Sequence, residues 1–366
     1  MKTIQRICLQ GFLAGVLLFL PLHNIQAAGT TSKPLLPAGA QTETPSSQPI
    51  HQKEGLPPLQ EEMQYLTASQ LAEEENLLAI LWVQRSAEFR GLSYQAYNMA
   101  AMEVDKAVTR RRETEKALTK AEQRKDIAEQ QAPLLPLAVV LDIDDTLVCN
   151  ASLEAYCMAH PEAKVDYNAW EQWIAQHATL LPGAKSFLEY ADRHGVQVFY
   201  VTGRGSRDRS VTSRFLQKAG LPYTDETHLL MNDLSGSKMN HFAKLARRYD
   251  IICYLGDNAG DFPIGARRDE NITLYKKKSA GDATAKSKTP LDIAAMLKHD
   301  KNRVRNRIVD THKKSFGTKF ILLPNPMYGD WEYNLAQNYR RLPAEQRIAL
   351  RKAALVYFKQ SPRTDS

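Results

Sequence analysis

Asp142, Asp144 and Asp145 stand almost side by side in LDIDDT, directly after four apolar residues, Ala138, Val139, Val140 and Leu141. A short uninterrupted apolar run reads as a strand buried on both faces. Side chains alternate along extended backbone, so Asp142 and Asp144 fall on one side and Asp145 on the other. Two carboxylates on one side of a strand end repel each other. A positive partner is needed to keep both ionised, and a hard divalent cation such as Mg²⁺ suits oxygen donors. The bland alternative is a polar turn in which Asp145 or Thr146 caps a helix.

Other stretches weigh against that alternative. Ile251–Leu255 (IICYL) is a second buried run, leading into Gly256, Asp257, Asn258, Ala259, Gly260, Asp261 and Phe262. Val196–Val201 (VQVFYV) leads into Thr202, Gly203 and Arg204, and Lys238 follows a short apolar stretch at Leu229–Met231. These pieces fit one phosphoryl-transfer site. A carboxylate nucleophile must approach a dianionic phosphate monoester, and two unit charges ~4 Å apart repel by about 4 kcal/mol at an effective dielectric of about 20. Mg²⁺ held by Asp142, Asp257 and the backbone carbonyl of Asp144 offsets part of that repulsion. Lys238 adds a second positive charge, and the Thr202 hydroxyl and Gly203 amide donate to phosphate oxygens. Asp142 then attacks phosphorus and forms an aspartyl phosphate. Asp144 protonates the leaving oxygen and later takes a proton from water, while Asp261 steadies the metal site or Lys238. Taken singly, each piece has a plainer reading. Asp257–Asp261 is a polar loop, though too short for the usual Ca²⁺ pattern; Lys238 is a solvated lysine; Thr202–Arg204 is a turn. It is their joint order at successive strand ends that points to a site.

The elements that must position them follow from periodicity. Residues 59–136 read as helical, with Leu71, Leu77, Leu78, Leu81 and Trp82, then Tyr94, Tyr97, Ala101 and Val104, at helix spacing. Arg110–Gln131 reads as a solvated extension of that helix. From Leu137 onward strands alternate with helices near Gly183–His194, Ser210–Lys218 and Phe242–Arg248. The expected fold is α/β: an open, mostly parallel sheet with its site along the carboxyl ends of the strands.

The chain has 366 residues and a formal charge of +7. Residues 276–319 hold thirteen Lys/Arg against four Asp, so the basicity belongs to one segment and the rest is slightly acidic. No stable nucleic-acid complex is therefore expected, only a weak contact of residues 276–314 with an anionic surface. Lys2 and Arg6 precede an apolar run, Gly11–Leu22, that is short for a membrane span. This reads as an export signal at 1–28, cleaved near Ala27 or Ala28, with an uncleaved anchor as the alternative. Residues 29–58 read as a Thr/Ser/Gln/Pro-rich tether. The export signal implies a periplasmic, outer-membrane-associated or secreted protein. Cys149 and Cys157 could pair in an oxidising compartment, whereas Cys253, in an apolar run, reads as a buried thiol.

The order of motifs resembles that of the haloacid-dehalogenase (HAD) superfamily, in the subgroup with four aspartates. Within it the chain is similar to the class C acid phosphatases, the lipoprotein e family of 5′-nucleotidases. Leu81–Ala100 (LWVQRSAEFRGLSYQAYNMA), Val198–Arg204 (VFYVTGR) and Phe316–Glu332 (FGTKFILLPNPMYGDWE) carry the likeness. The resemblance implies a HAD-like Rossmannoid sheet in a phosphatase domain at 137–332. It also implies a mainly helical subdomain from the N-terminal helices, the segment after the first motif and the C-terminal region. Residues 333–366, beyond the resemblance, read as a basic amphipathic helix. The resemblance further implies a Mg²⁺-dependent phosphoric monoester hydrolase, with Asp142 as nucleophile, Asp144 as acid/base, Asp257 as second metal carboxylate, Asp261 in support, and Thr202 and Lys238 on phosphate. Trp170 and Tyr328 match the aromatic pair that holds a nucleotide base, with core or rim packing as the alternative. Three features depart from the pattern. There is no lipid-modified cysteine after the apolar run, His241 stands where the family often has arginine, and the basic segment 276–314 reads as an insertion. The substrate is expected to be a nucleoside 5′-monophosphate, with sugar phosphates and other small esters as the alternative. A surface-binding protein working through 276–314 is a third reading.

Overall fold

The computed structural model describes residues 67–123, 133–161, 169–170, 172–174, 179–232, 238–265 and 292–357. The leader, the tether and the first half of the basic segment lie outside the described residues. Among the described residues three helices come first: α1 (Ala68–Glu74), α2 (Leu77–Arg85) and α3 (Ala87–Gln123). A capping box between Thr67 and Gln70 starts α1. Next come β1 (Leu137–Leu141), α4 (Ala151–Ala159), α5 (Ala184–Arg193), β2 (Gln197–Gly205), α6 (Arg209–Lys218), β3 (Leu229–Asn232), α7 (Lys238–Ala246) and β4 (Asp250–Gly256). The chain continues through α8 (Ile293–Leu297), α9 (Asn302–Thr311), β5 (Phe320–Leu322), α10 (Asp330–Tyr333) and α11 (Ala344–Ala354).

The five strands form one parallel sheet in the order β3-β2-β1-β4-β5. The order reverses beside β1, and the β1/β4 boundary is the topological switch point, where an open α/β sheet has its ligand crevice. Alternation along β1 feeds two cores. Leu137, Val139 and Leu141 pack with Tyr97, Ala100 and Val104 of α3 and Phe187 and Leu188 of α5, whereas Ala138 and Val140 pack with Phe242 and Leu245 of α7. Both faces of β1 are covered, which is why its sequence is apolar without a break. A smaller core of Ala336, Tyr339 and Leu350 gathers α8 and α11, and α1 packs on both α4 and α11. This is the helical region expected beside the sheet.

Several local readings need correction. Leu71, Leu77, Leu78 and Leu81 do lie on helices but are exposed; Ala72, Ile80 and Val83 are the buried residues there. The second half of the basic segment 276–314 carries α8 and α9, and FGTKFILL contributes the edge strand β5. The C-terminal helix is shorter than 333–366, because a turn at Leu335–Asn338 and a 3-10 turn at Tyr339–Arg341 precede α11. Cys149 and Cys157 are both free thiols, and Cys253 is buried as expected.

Candidate active site

Asp142 and Asp257 are the first residues beyond β1 and β4, adjacent strands of the sheet. The Asp142 amide still donates to the Leu255 carbonyl, at 3.0 Å, so the ladder itself sets the two carboxylates side by side. The chain then bends. Asp145 takes a left-handed conformation (φ 49°), which Asp tolerates better than most residues. The amides of Leu147 and Val148 turn back to the Ile143 carbonyl. Asp142 and Asp144 face a common cavity of about 180 Å³, and Asp145 is buried away from it, so the alternation read from sequence holds.

Oxygen atoms of Asp142, Asp257 and Asp261 lie within 4.8 Å of one another. Lys238, the first residue of α7, reaches between them, with Nζ 2.7 Å from both Asp142 Oδ1 and Asp261 Oδ1. Only the contact to Asp261 has hydrogen-bond geometry, which leaves Asp142 Oδ1 a buried acceptor without a hydrogen bond. Burial drives the Asp142 carboxyl above the usual range, against the pull of Lys238, and Asp261 adds to the rise. Burial with the charges of Asp261 and Asp142 lifts Asp257 further. Burial alone would lower the Lys238 ammonium, but Asp142 and Asp261 raise it instead. Crowded buried carboxylates that share a single lysine, all hard oxygen donors, fit a divalent cation. Asp142 and Asp257 are the residues suited to hold it. Asp261 is already occupied, with Oδ1 on Lys238 and Oδ2 accepting the Asn258 amide at 2.9 Å.

Two features of this turn were not read from sequence. A Cβ on Gly256 would sit 2.3 Å from the Asp261 Cβ, so only glycine lets Asp261 fold back over the strand end. Asn325 Nδ2 donates to Asp257 Oδ2 at 2.9 Å, so the PNPMYG stretch supports the second carboxylate directly.

Asp144 lies in a second network. β2 runs on through the Thr-Gly-Arg stretch to Gly205, which aims Arg204 back at β1. Its guanidinium grips Asp144 with two bonds, at 2.8 and 3.0 Å. Burial disfavours the Asp144 charge, but Arg204 outweighs it and holds the carboxyl below its ordinary value. Asn150 Nδ2 also donates to Asp144, at 2.9 Å, and reaches the Tyr328 hydroxyl at 3.3 Å. The Tyr328 hydroxyl in turn donates to Asp145. Tyr328 and Asp330 also line the cavity, as do Asn258 and Gly260.

The remaining sequence-read residues are off this wall. Thr202 is fully buried, and its hydroxyl oxygen accepts the Arg204 amide at 3.2 Å; Gly203 is exposed. Trp170 stacks on Trp173 (ring centroids 5.4 Å apart) and packs against the core. His241 Nε2 points to the Met231 carbonyl at 3.1 Å and does not line the cavity.

Residues 59–331 match the family model described as HAD superfamily, subfamily IIIB (acid phosphatase). The fold is similar to that of the class C acid phosphatase from Bacillus anthracis, with a TM-score of 0.58 at 25% identity, covering 79% of this chain and 100% of that one. The same figures hold for that phosphatase with tungstate bound. With the family match extending over most of the chain, a parallel sheet of this order and carboxylates from two strand ends around a lysine, this protein belongs to the HAD subfamily IIIB acid phosphatases, of the class C type, and is a phosphoric monoester hydrolase.

Proposed function

We propose that the enzyme is exported, depends on Mg²⁺, and hydrolyses small phosphate monoesters, nucleoside 5′-monophosphates foremost, through an aspartyl phosphate on Asp142. The observation that carries this reading is the meeting of Asp142, Asp257 and Asp261 around buried Lys238. Mg²⁺ on Asp142, Asp257 and the Asp144 carbonyl would supply charge neutralisation for the incoming dianion. Lys238 adds its own charge on the same wall. Thr202 and Gly203, at the end of β2, are the proposed donors to phosphate oxygens. Asp142 attacks phosphorus, the P–O ester bond breaks, and the leaving oxygen takes its proton from Asp144. Asp144 then receives a proton from the water that hydrolyses the acyl phosphate. Arg204 holds the Asp144 carboxyl below its ordinary value, so its proton-bearing form is scarcer at a given pH than that of an ordinary aspartate and is reached only on the acid side.

The cavity, at about 180 Å³, is smaller than the ~300 Å³ at which pockets begin to enclose a whole drug-sized ligand. It has room for a phosphoryl group and its immediate neighbours, and the rest of the substrate projects outward. That favours breadth in the leaving group and keeps small non-nucleotide esters as a second reading. The Tyr328 ring, fixed by Asp145 and Asn150, is the proposed platform for a base, and Trp170 would serve only a substrate that extends past the wall. Export is supported by the charged start and the apolar run Gly11–Leu22. Among the described residues no helix is long and apolar enough to cross a membrane.

The test is phosphate release from nucleoside monophosphates, sugar phosphates and an aryl phosphate, with and without chelator, for the wild type and Asp142→Asn. Turnover that survives either the chelator or Asp142→Asn would overturn the mechanism. Equal turnover of all esters would overturn the nucleotide preference.

A further inference from the structure

The basic segment brings one side chain to the edge of the site. Arg305 on α9 is only 9% exposed, although arginine is seldom buried without partners. Its Nη2 donates to Asn258 Oδ1 at 3.1 Å and its Nη1 to Asn302 Oδ1 at 3.3 Å. Burial works against the guanidinium charge, and the Asp330 carboxylate works for it. α9 is itself pinned beside the cavity wall. Asn302 Nδ2 donates to the Trp331 carbonyl at 2.7 Å, and the Lys301 amide to the Asn334 carbonyl at 3.0 Å.

Asn258 is the pivot. Its Oδ1 has two lone pairs, and it also accepts the Gly260 amide at 3.1 Å. Its own amide donates to Asp261 Oδ2 at 2.9 Å. Asp257 precedes it, and Asp261 holds Lys238. A rotation of the Asn258 amide therefore shifts the turn on which both carboxylates stand. Asn258 and Asp330 line the cavity and Arg305 does not. There is also a charge argument. Asp142, Asp144, Asp257, Asp261 and Asp330 all face the cavity, against Lys238 on the wall and Arg204 on Asp144. Arg305 is a further cation, bonded to the wall residue Asn258.

We propose that Arg305 is a positioning residue of the phosphatase site: by holding Asn258 it fixes the Asp257–Asp261 turn that presents the metal-binding and lysine-binding carboxylates. It touches neither the substrate nor the reacting atoms. The proposal rests on the reading of Asp142 and Asp257 as metal carboxylates. The experiment titrates the metal-free, full-length chain with Mn²⁺ alone by calorimetry, and separately measures kcat and KM on an aryl phosphate. Loss of a partner that orients a metal ligand costs about 10- to 100-fold in metal affinity or activity. Arg305→Gln is expected to weaken Mn²⁺ binding by about tenfold or more and to lower kcat with little change in KM. Wild-type Mn²⁺ affinity and kcat in the folded variant would overturn the proposal. If Arg305→Gln does not fold, Arg305→Lys, which keeps the charge but not the two-armed grip, decides it in the same way: weakened Mn²⁺ binding supports the role and wild-type binding overturns it. The double variant with Asn258→Ala should lose little beyond Asn258→Ala alone, since Arg305 acts through that amide, whereas losses that multiply would refute this route. Asp142→Asn separates the two ideas. Mn²⁺ binding lost there but intact in Arg305→Gln condemns only the role of Arg305; binding intact in both condemns the metal reading as well.

Discussion

Lys238→Met tests the electrostatics of the site most directly. In the native chain the ammonium lies 2.7 Å from one oxygen of Asp142 and 2.7 Å from one of Asp261. At an effective dielectric of about 20 each pair attracts with roughly 6 kcal/mol. Most of that is consumed in desolvating the three charges. What remains when one partner of a buried pair is deleted is typically about 3–5 kcal/mol. We therefore expect unfolding free energy to fall by about 3–4 kcal/mol near pH 8 with chelator present. The pH dependence carries a sign. The folded-state pKa of Lys238 is raised, so its stabilisation is fully present below the unfolded value and fades only above the folded one. From weakly acidic to weakly basic pH the lysine is charged in both states, and the variation comes from the carboxylates. Asp142 and Asp257 are pushed above the ordinary range by burial and by their neighbours. The folded state therefore holds more protons than the unfolded chain between about pH 4 and neutrality, and stability falls as pH rises through that window. Without Lys238 both carboxyls rise further, and the fall becomes steeper and reaches higher pH. The penalty of Lys238→Met should thus be greatest near pH 8, shrink towards pH 5, and shrink again when Mg²⁺ is added near pH 8. Urea unfolding followed by tryptophan fluorescence measures it, and kcat/KM should drop by about 10²–10³. A penalty that is the same near pH 5 and near pH 8, and indifferent to Mg²⁺, would refute this account of the cluster.

Glu332→Gln should lower stability by about 2 kcal/mol in urea unfolding, because Glu332 Oε1 accepts from Tyr339 Oη and from Arg351 Nε and Nη2 (2.9, 3.0 and 2.6 Å) and so ties α10 to α11; kcat of the folded variant should stay within about twofold. Glu154 is pushed up to about 7 by burial and then by the charges of Asp145 and Glu73. Its folded value is raised, so stability falls as pH rises from the ordinary glutamate range through about 7, by of order 2 kcal/mol once partial exposure is discounted. Glu154→Gln should flatten that part of the melting-temperature profile. Tyr328→Ala should lower kcat/KM for AMP about tenfold more than for an aryl phosphate, with Tyr328→Phe as the control that keeps the ring, and equal losses on the two esters would end the base-stacking role.

What was legible in the sequence, and what was not, follows from which physical signal each part leaves. β1 and β4 are covered on both faces, so they leave unbroken apolar runs, and the aspartates that follow mark the strand ends. α9 leaves no such signal. Its one buried residue is Arg305, and it is held by the polar anchors Asn302 and Arg305, so hydrophobic periodicity passes over it as solvated basic chain. β5 is three residues long and pairs on one side only, too little for an alternation to be seen. The exposed Leu77, Leu78 and Leu81 show the reverse error. Helix spacing was there, but it did not say which stripe faced inward, and Ile80 and Val83 took that place.

The residues missed at the site share a cause. Arg204 was visible only as part of a Thr-Gly-Arg turn, and a sequence does not say where a long side chain points. The strand continuing to Gly205 turns it onto Asp144. Asn325 and Asn258 are single polar residues whose importance comes from the carboxylates they meet, and Gly256 matters because Asp261 returns across it. The carboxylates themselves could be found because a strand end displays them. The cations beside them come from three separate segments, Lys238 on α7 and Arg204 on β2 in ion pairs with aspartates and Arg305 on α9 bonded to Asn258. A cavity facing five aspartates cannot be stable on the strength of one sequence motif, and the cations that offset them had to be recruited by the fold. For that reason most of the acidic half of this site is marked by its strand-end motifs, whereas of the basic half only Lys238 was legible and the aim of Arg204 and Arg305 is set by the tertiary fold. Variants of the basic half should accordingly show their effects in pH profiles and metal affinity as much as in turnover.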